Sequence, residues 1–290
     1  MEAELIVKET DITGEGVMWH AKKASLFWVD IEGCCVHEYH PQSKSHRVFK
    51  LDQMVSTIVP DTMGNLILAL QDSIIRFNPD NQQSEKIIDI ETDIPDNRCN
   101  DGKADRNGRL WIGTMNLSLK ANAGSLYCLE NGKPLHKVLS DLTIPNGLAW
   151  TADNKTFYYI DTIKHTIDRY SYDLATGEIN YAGIAIRIPA GTGGADGMTI
   201  DRTGRLWVAQ WGGFGVYCYN PDSGEMLSKI QVPAPQVACC TFGGPLLDTL
   251  YITTARAGLS EIMLEQYPLS GSLFAVKLDT NGFLPDCYKG

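Results

Sequence analysis

The stretch "DRNGRLWIGT" (Asp105–Thr114) reappears almost unchanged as "DRTGRLWVAQ" (Asp201–Gln210). In both copies a polar segment with Asp and Gly precedes a short run of apolar, β-branched and aromatic residues. Asp supplies a side-chain acceptor for a tight chain reversal, and Gly accepts the positive φ that such a reversal requires. Each copy therefore predicts a turn followed by a β-strand.

The apolar part of this stretch belongs to a longer repeat. Six similar blocks occur along the chain: "SLFWVD" at Ser25, "NLILAL" at Asn65, "RLWIGT" at Arg109, "TFYYID" at Thr156, "RLWVAQ" at Arg205 and "TLYITT" at Thr249. Their second residues are 40, 44, 47, 49 and 44 positions apart, counted along the sequence. Intervals of about 40 to 50 residues are typical of propeller blades and other repeat arrays.

Further strand candidates flank each block, and helix-period runs are almost absent. We therefore predict an all-β fold, a six-bladed β-propeller of four-stranded antiparallel blades, with a non-propeller all-β domain as the alternative. Residues 1–290 are expected to form a single domain. An open ring would leave strand edges exposed, so we expect "AELIVKE" near the N-terminus to add the outer strand to a last blade built from Gln236 to about Leu278.

Composition limits the kind of partner. The formal net charge is −10, and Lys and Arg form no cluster, whereas nucleic acids and anionic membranes require a basic surface. The N-terminus lacks the features of a signal peptide, and no apolar run reaches the roughly 18 residues of a membrane span. We expect a cytoplasmic protein, a monomer or weak homo-oligomer, that binds a small molecule or a cation.

Propeller function is expected where the innermost strands meet. The residues predicted to lie just before the six first strands are Glu15, Val55, the pair Asn100-Asp101, Asn146, Asp196 and Val237. Each "NG" or "DG" taken alone favours a plain turn. Repetition at equivalent positions favours a shared site, and converging carboxylates repel one another unless a cation joins them. Such oxygen ligands suit Ca²⁺, Mg²⁺ or Mn²⁺.

Four long motifs resemble one known family. They are "RCNDGKADRNGRLWIGTM", "IPNGLAWTADNKTFYYIDT", "DGMTIDRTGRLWVAQWGG" and "CCTFGGPLLDTLYITTARAGL". In this order they resemble the SMP-30/gluconolactonase/regucalcin-like family, over a stretch from Gly14 to about Gly258. The resemblance implies a six-bladed propeller with one divalent metal ion in the channel, Ca²⁺, Zn²⁺, Mn²⁺ or Mg²⁺. It also implies hydrolysis of sugar lactones to aldonic acids.

The same resemblance implies roles for individual residues. The metal ligands would be Glu15, Asn146 and Asp196, with Asp196 also the candidate general base. Arg98 and Asn100 would bind the substrate beside the metal. Close animal relatives carry a lid glutamate four residues before the "GSL" strand, where this chain has Lys120. An ammonium there would contact the substrate differently, so substrate range is the property that the resemblance transfers least.

The sequence leaves two alternative functions open and argues against several other kinds of site. A calcium-binding regulatory protein without essential catalysis is one alternative, and a propeller hydrolase of phosphotriesters or non-sugar lactones is another. No G-x-S-x-G motif supports a serine hydrolase. His37 and His40 in "HEYH" lack zinc-ligand spacing, and a surface or structural role is favoured. Asp30 and Asp161 end equivalent second strands, where a turn role is favoured.

Overall fold

The computed structural model describes residues 1–290. It contains 24 β-strands, one short 3-10 helix (Thr162–Lys164) and one six-residue α-helix, α1 (Glu261–Gln266). The strands form four four-stranded antiparallel sheets and one eight-stranded sheet. The architecture is all-β and propeller-like, which confirms that part of the fold predicted from the strand repeat. No helix is long and apolar enough to cross a membrane.

The first three sheets follow one another along the chain after the N-terminal strand. That strand is β1 (Glu4–Val7). The first sheet contains β2 (Gly14–His20), β3 (Ser25–Asp30), β4 (Cys35–His40) and β5 (Ser45–Lys50). The second contains β6 (Val55–Pro60), β7 (Leu66–Leu70), β8 (Ser73–Phe77) and β9 (Ser84–Asp89). The third contains β10 (Asn97–Ala104), β11 (Leu110–Asn116), β12 (Gly124–Leu129) and β13 (His136–Leu142).

The remaining strands form a fourth sheet and the eight-stranded sheet. The fourth contains β14 (Pro145–Trp150), β15 (Thr156–Asp161), β16 (Thr166–Tyr172) and β17 (Ile179–Arg187). The eight-stranded sheet contains β18 (Gly194–Ile200), β19 (Leu206–Trp211), β20 (Gly215–Tyr219), β21 (Met226–Gln231), β22 (Gln236–Gly243), β23 (Thr249–Ala255), β24 (Leu273–Lys277) and β1. One residue pair, Trp211 with Gln236, joins its two halves, and β1 pairs with β24 as the outermost strand.

The six repeat blocks occupy equivalent places in this architecture. Each block forms the second strand of a group of four: β3, β7, β11, β15, β19 and β23. The first five groups are consecutive along the chain, and the sixth consists of β22, β23, β24 and β1. "SLFWVD" and "TFYYID" coincide with β3 and β15 residue for residue. The first strands of these groups, β2, β6, β10, β14, β18 and β22, contact one another in that order, and β22 contacts β2. The first strands therefore form a closed ring.

The hydrophobic core lies between neighbouring sheets rather than at the centre of the ring. Six buried apolar clusters fill the successive interfaces between the four-stranded groups, and one of them joins the last group to the first. In the interface between the third and fourth sheets, Trp111 lies 5.5 Å from Phe157, centroid to centroid, and both side chains are fully buried. The apolar faces of neighbouring sheets are thus buried against one another all the way around the ring.

The aspartate of "DRNGRLW" fixes the turn that enters the second strand. The Arg109 backbone N–H donates to Asp105 Oδ1 (3.0 Å), and Asp105 Oδ2 accepts from Arg109 Nε (2.7 Å) and Trp111 Nε1 (2.8 Å). Asp201 makes the same contacts with Arg205 and Trp207 in the equivalent turn. The repeated sequence thus encodes a clasp in which one carboxylate holds the turn, an arginine and a tryptophan.

Asp105→Ala tests this clasp. Asp105 and Arg109 are 0% and 1% exposed, so the substitution leaves a buried guanidinium without its partner. We expect the free energy of unfolding to fall by about 3–5 kcal/mol. Urea denaturation measures the change. Asp153→Ala is the matched control, because Asp153 occupies the corresponding turn before β15 and is exposed; an equal loss in both variants would contradict a special role for the clasp.

Candidate functional site

The six first strands share a local irregularity near their entry. The register with the second strand shifts at Glu15/Met18, Val55/Thr57, Cys99/Gly102, Asn146/Leu148, Ala195/Met198 and Val237/Cys239. Such bulges re-aim side chains and are common beside active sites. The residues predicted to lie just before the six first strands are at these shifts. They are within the strands, and the prediction that they lie just before them was wrong.

Glycines at the bulges let neighbouring strands approach closely. A Cβ on Gly147 would lie 2.8 Å from the Asp196 carbonyl oxygen, and a Cβ on Gly197 would lie 2.8 Å from Cys239 Cα. A side chain at either position would collide with the backbone of the next first strand. Gly147 and Gly197 are therefore required by the packing of the ring. They lie within β14 and β18 and do not form the turns that isolated "NG" and "DG" pairs favour.

Three carboxyl groups from three different sheets interact at this level of the ring. Glu15, Asp101 and Asp196 are all buried. Burial and repulsion from Asp101 raise the pKa of Glu15 from 4.5 to about 8. Burial together with repulsion from Glu15 and Asp101 raises the pKa of Asp196 well above its usual range, and burial raises the pKa of Asp101.

The cluster has the properties of a cation site. Asp101 Oδ1 accepts from the Gly102 backbone N–H (2.7 Å), while its Oδ2 is buried without a hydrogen-bond partner. The positive charge of Arg98 opposes part of the rise in the pKa of Glu15 and Asp196, and that of Lys103 opposes part of the rise for Asp101. The pKa of each carboxyl nevertheless stays raised. A cation bound by Glu15 and Asp196 would relieve the repulsion among these carboxyls. In the sequence, Asp101 was singled out only as the neighbour of Asn100.

A directional chain of hydrogen bonds connects three sheets beside the carboxyl groups. Arg98 Nη1 donates to Asn100 Oδ1 (2.6 Å), and Asn100 Nδ2 donates to Asn146 Oδ1 (3.0 Å). Asn146 Nδ2 then donates to Thr162 Oγ1 (2.8 Å), which donates to the Ala195 carbonyl (2.8 Å). The structure thus brings Arg98, Asn100 and Asn146 together.

Thr162 was missed from the sequence. Its hydroxyl accepts from Asn146 and donates to the backbone of the residue that precedes Asp196. It therefore links two predicted metal ligands on different sheets. In the sequence, Thr162 is marked only by its position directly after "TFYYID". That position does not show where its hydroxyl points.

Two aspartates at the ends of second strands anchor the entries to the first strands. Asp30 Oδ1 accepts from the Thr13 backbone N–H (3.0 Å), and Asp161 Oδ1 accepts from the Ile144 backbone N–H (2.9 Å). Thr13 and Ile144 each lie two residues before a predicted metal ligand. The turn role favoured by sequence is thus also a means of positioning Glu15 and Asn146.

Lys120 lies apart from this buried group. It is exposed in the loop between β11 and β12, where Leu119 and Asn122 have positive φ values of 55° and 59°. Asn97 Nδ2 donates to the Ala123 carbonyl (2.9 Å), which ties this loop to the strand that carries Arg98. The loop is therefore anchored beside the site, and contact between Lys120 and a substrate stays a prediction.

The motif resemblance is supported by comparison with known proteins. A model of the SMP-30/gluconolactonase/LRE-like region matches residues 13–256. This chain belongs to that family. A Bacillus subtilis (strain 168) member, provisionally named sugar lactone lactonase YvrE, is 36% identical over 290 residues and covers 100% of this chain and 99% of its own length. Regucalcin from Xenopus laevis is 31% identical over 296 residues, with the same coverage.

Solved structures of family members share the whole fold. A structure described as a calcium-binding protein, regucalcin, from Agrobacterium tumefaciens strain C58 has a TM-score of 0.93 at 28% identity, covering 100% of this chain and 98% of that one. A luciferin-regenerating enzyme has a TM-score of 0.92 at 33% identity and covers 99% of both chains. The names within this one family thus include enzymes and a calcium-binding protein.

The raised pKa of Glu15 predicts how an ion changes stability with pH. Because the folded-state pKa of about 8 exceeds the ordinary 4.5, the metal-free protein loses stability as pH rises between these values. An ion that favours the ionised form should raise the unfolding temperature little near pH 5 and most above pH 8.

Thermal unfolding from pH 5 to 9, in Ca²⁺ and in EDTA, measures this difference. Glu15→Gln is the control, and its metal-free stability should fall less steeply as pH rises. An ion-dependent increase of the same size at pH 5 and pH 8 would contradict a site built on these carboxyls.

Proposed function

We propose that this protein is a metal-dependent lactonase that hydrolyses aldono-1,4- or 1,5-lactones to aldonic acids. The observation that carries the proposal is the convergence of Glu15, Asp101 and Asp196 from three sheets, beside the Arg98–Asn100 pair. Buried carboxyls that repel one another are costly without a cation. A guanidinium and an amide beside them supply the donors that a polyhydroxylated substrate requires.

The scaffold in this proposal is a single domain with six blades. Support comes from the closed ring of six first strands, and from the single Trp211–Gln236 pair between the two halves of the eight-stranded sheet. The six apolar clusters between successive groups of four strands support the same count. A single pair of bridging residues is a weak connection compared with the pairing within each group, so each half is counted as one blade.

Glu15, Asn146 and Asp196 are the proposed ligands of one divalent ion. Carboxylate and amide oxygens suit a hard cation, and the similarity to a calcium-binding protein from Agrobacterium tumefaciens makes Ca²⁺ the first candidate. Zn²⁺, Mn²⁺ and Mg²⁺ remain candidates for the native ion. When bound, the ion supplies Lewis-acid polarisation of a carbonyl oxygen and lowers the pKa of a water molecule.

Arg98 and Asn100 are proposed to orient the lactone. Arg98 Nη1 is engaged by Asn100 Oδ1 and by the Cys99 carbonyl (2.8 Å), which fixes the plane of the guanidinium. The other N–H groups of Arg98 remain for substrate hydroxyls or for negative charge that develops on the carbonyl oxygen. The chain of hydrogen bonds continues from Asn100 through Asn146 to Thr162. Substrate binding at Arg98 and Asn100 is therefore coupled to the position of Asn146, a proposed metal ligand.

Asp196 is proposed as the general base as well as a ligand. Its carboxylate accepts a proton as water attacks the carbonyl carbon, and the ring oxygen takes that proton as the ester bond breaks. A ligated carboxylate is ordinarily a weak base, because a cation lowers its pKa. Burial and repulsion from Glu15 and Asp101 act in the opposite direction and raise the pKa of Asp196.

Asp196→Asn tests the assignment. Loss of the base should lower kcat/KM for the preferred lactone by about 10²–10⁴-fold. A proton-release assay over gluconolactone and arabinono-, xylono- and galactonolactones, with phosphotriesters and non-sugar lactones included, measures the rates. Asp222→Asn at an exposed site is the control. A variant at position 196 with a near-wild-type rate and bound metal would overturn the role of Asp196.

The second candidate is a calcium-binding regulatory protein, favoured by the descriptions of the regucalcin relatives. The two functions differ in turnover. Lactone hydrolysis that disappears with EDTA and returns with added metal supports the enzyme. Tight Ca²⁺ binding with no turnover on the whole panel supports the regulator instead.

Lys120 is proposed to contact the substrate from the loop between β11 and β12. Its exposed ammonium offers donors to lactone hydroxyls where a carboxylate would offer acceptors. Lys120→Ala should raise KM by about threefold to tenfold, the worth of one or two exposed hydrogen bonds, with little change in unfolding temperature. Lys133→Ala is the control. Equal KM values for the two variants across the panel would remove Lys120 from the substrate site.

A further inference from the structure

A second group of titratable side chains lies in the first sheet, away from the axial carboxyls. It consists of Glu9, Asp11, His37 and His46. His37 is in β4 and His46 is in β5, the outermost strand of that sheet. The lactonase chemistry uses none of these residues.

The two imidazoles meet edge to edge. His37 Nδ1 and His46 Nε2 are 3.0 Å apart, the ring planes differ by 9°, and the ring centres are 5.2 Å apart. The indole of Trp28 lies nearly parallel to both rings, 4.6 Å from the centre of His37 and 5.3 Å from that of His46. Trp28 therefore holds both imidazoles in one plane, with a nitrogen of each aimed at the other.

Acidic side chains face the outer nitrogens of the pair. Asp11 Oδ1 is 3.4 Å from His37 Nε2, and Glu9 Oε1 is 3.4 Å from His46 Nδ1. Cys35 Sγ is also 3.3 Å from His37 Nε2. Both acids are held in place, because Trp28 Nε1 donates to Asp11 Oδ2 (2.9 Å) and the backbone of Glu9 is bonded to the Ser272 hydroxyl.

We propose that His37, His46 and Glu9 form a second metal site, for a transition-metal ion such as Zn²⁺ or Cu²⁺. One ligand atom from each of the three residues lies within 4.8 Å of the others. The facing nitrogens share a hydrogen bond in this structure (3.0 Å), so an ion would displace the proton between them. The His46 ring, whose Nδ1 is the nitrogen near Glu9, would turn to bring one nitrogen to the point that His37 and Glu9 share. The outer nitrogen, His37 Nε2, lies beside Cys35 Sγ (3.3 Å) and Asp11 Oδ1 (3.4 Å), and polar groups at this position orient metal-binding histidines.

The chemistry of this group distinguishes it from the axial site. Imidazole nitrogens favour Zn²⁺, Cu²⁺ and Ni²⁺, whereas the axial ligands are all oxygens and suit harder ions. The His37 side chain is only 3% exposed, while those of His46 and Glu9 are 19% and 30% exposed. An ion can therefore enter from solvent on the side of His46 and Glu9.

Cross-strand register explains why the sequence hides this pair. His37 pairs with Val48, and His46 pairs with Tyr39, so the two histidines are diagonal neighbours on one face of β4 and β5. His40, the histidine closest to His37 in "HEYH", lies an odd number of residues away and faces the opposite side, where its Nε2 is 3.2 Å from Glu38 Oε1. The spacing between His37 and His40 therefore carries no information about this site, because the partner of His37 is His46 on the next strand.

Zn²⁺ titration by isothermal calorimetry tests the proposal on the full chain, with excess Ca²⁺ present. The key variant is His46→Gln, because His46 is the more exposed of the two histidines. His136→Gln is the matched control, since His136 also lies in the outermost strand of a four-stranded sheet and is exposed. The wild type and His136→Gln should bind one more Zn²⁺ than His46→Gln, or bind it about tenfold or more tightly.

Tryptophan emission gives a second readout, because Trp28 packs against both imidazoles. Cu²⁺ should quench the emission saturably in the wild type and in His136→Gln, and far less in His46→Gln. Equal Zn²⁺ stoichiometry and affinity in all three proteins would overturn the proposal, as would equal quenching. Neither readout depends on lactone turnover, so the result stands whether or not the axial site proves catalytic.

Discussion

Repulsion among the buried carboxyls of Glu15, Asp101 and Asp196 is the constraint on which the rest of the structure depends. Each carboxyl is brought to the ring by a different first strand, and burial raises the pKa of all three. Bringing such groups together is unfavourable, and the six apolar clusters between sheets supply the compensating burial. A rigid ring can hold an arrangement that a flexible chain would relax.

Hydrogen bonds to buried aspartates hold the first strands in place near the site. The clasp made by Asp105 fixes a turn at the far end of a first strand, and Asp161 fixes the entry to the next one. Between such anchors, bulges in β2, β14 and β18 hold the polar residues Glu15, Asn146 and Asp196. The chain of hydrogen bonds from Arg98 to Ala195 then links the third sheet to the fourth and to β18. Positions on different sheets are thereby set together.

Much of this could be predicted from the sequence, because the repeat reports local structure. Alternation and turn chemistry are properties of a few consecutive residues, and the blocks "SLFWVD" and "TFYYID" matched their strands residue for residue. The equivalent positions of Glu15, Asn146 and Asp196 could be read from the same periodicity. Their placement before the strands was wrong, since a bulge extends a strand past the point where simple alternation ends.

Contacts between distant segments could not be predicted in the same way. Thr162 gains its importance from Asn146 and from the Ala195 carbonyl, which lies on another sheet. His37 and His46 meet only because of the register between β4 and β5. No spacing rule within one segment contains this information. A diagonal pair on neighbouring strands becomes visible only once the strand pairing is known.

The most direct test of the account is crystallographic. Crystals grown with Mn²⁺, with data collected at the manganese absorption edge, would locate the ion by its anomalous signal. The account predicts a peak inside the ring, within bonding distance of the side-chain oxygens of Glu15, Asn146 and Asp196. A fully ordered ring with no peak among these three residues, at Mn²⁺ concentrations that support full activity, would contradict the central claim.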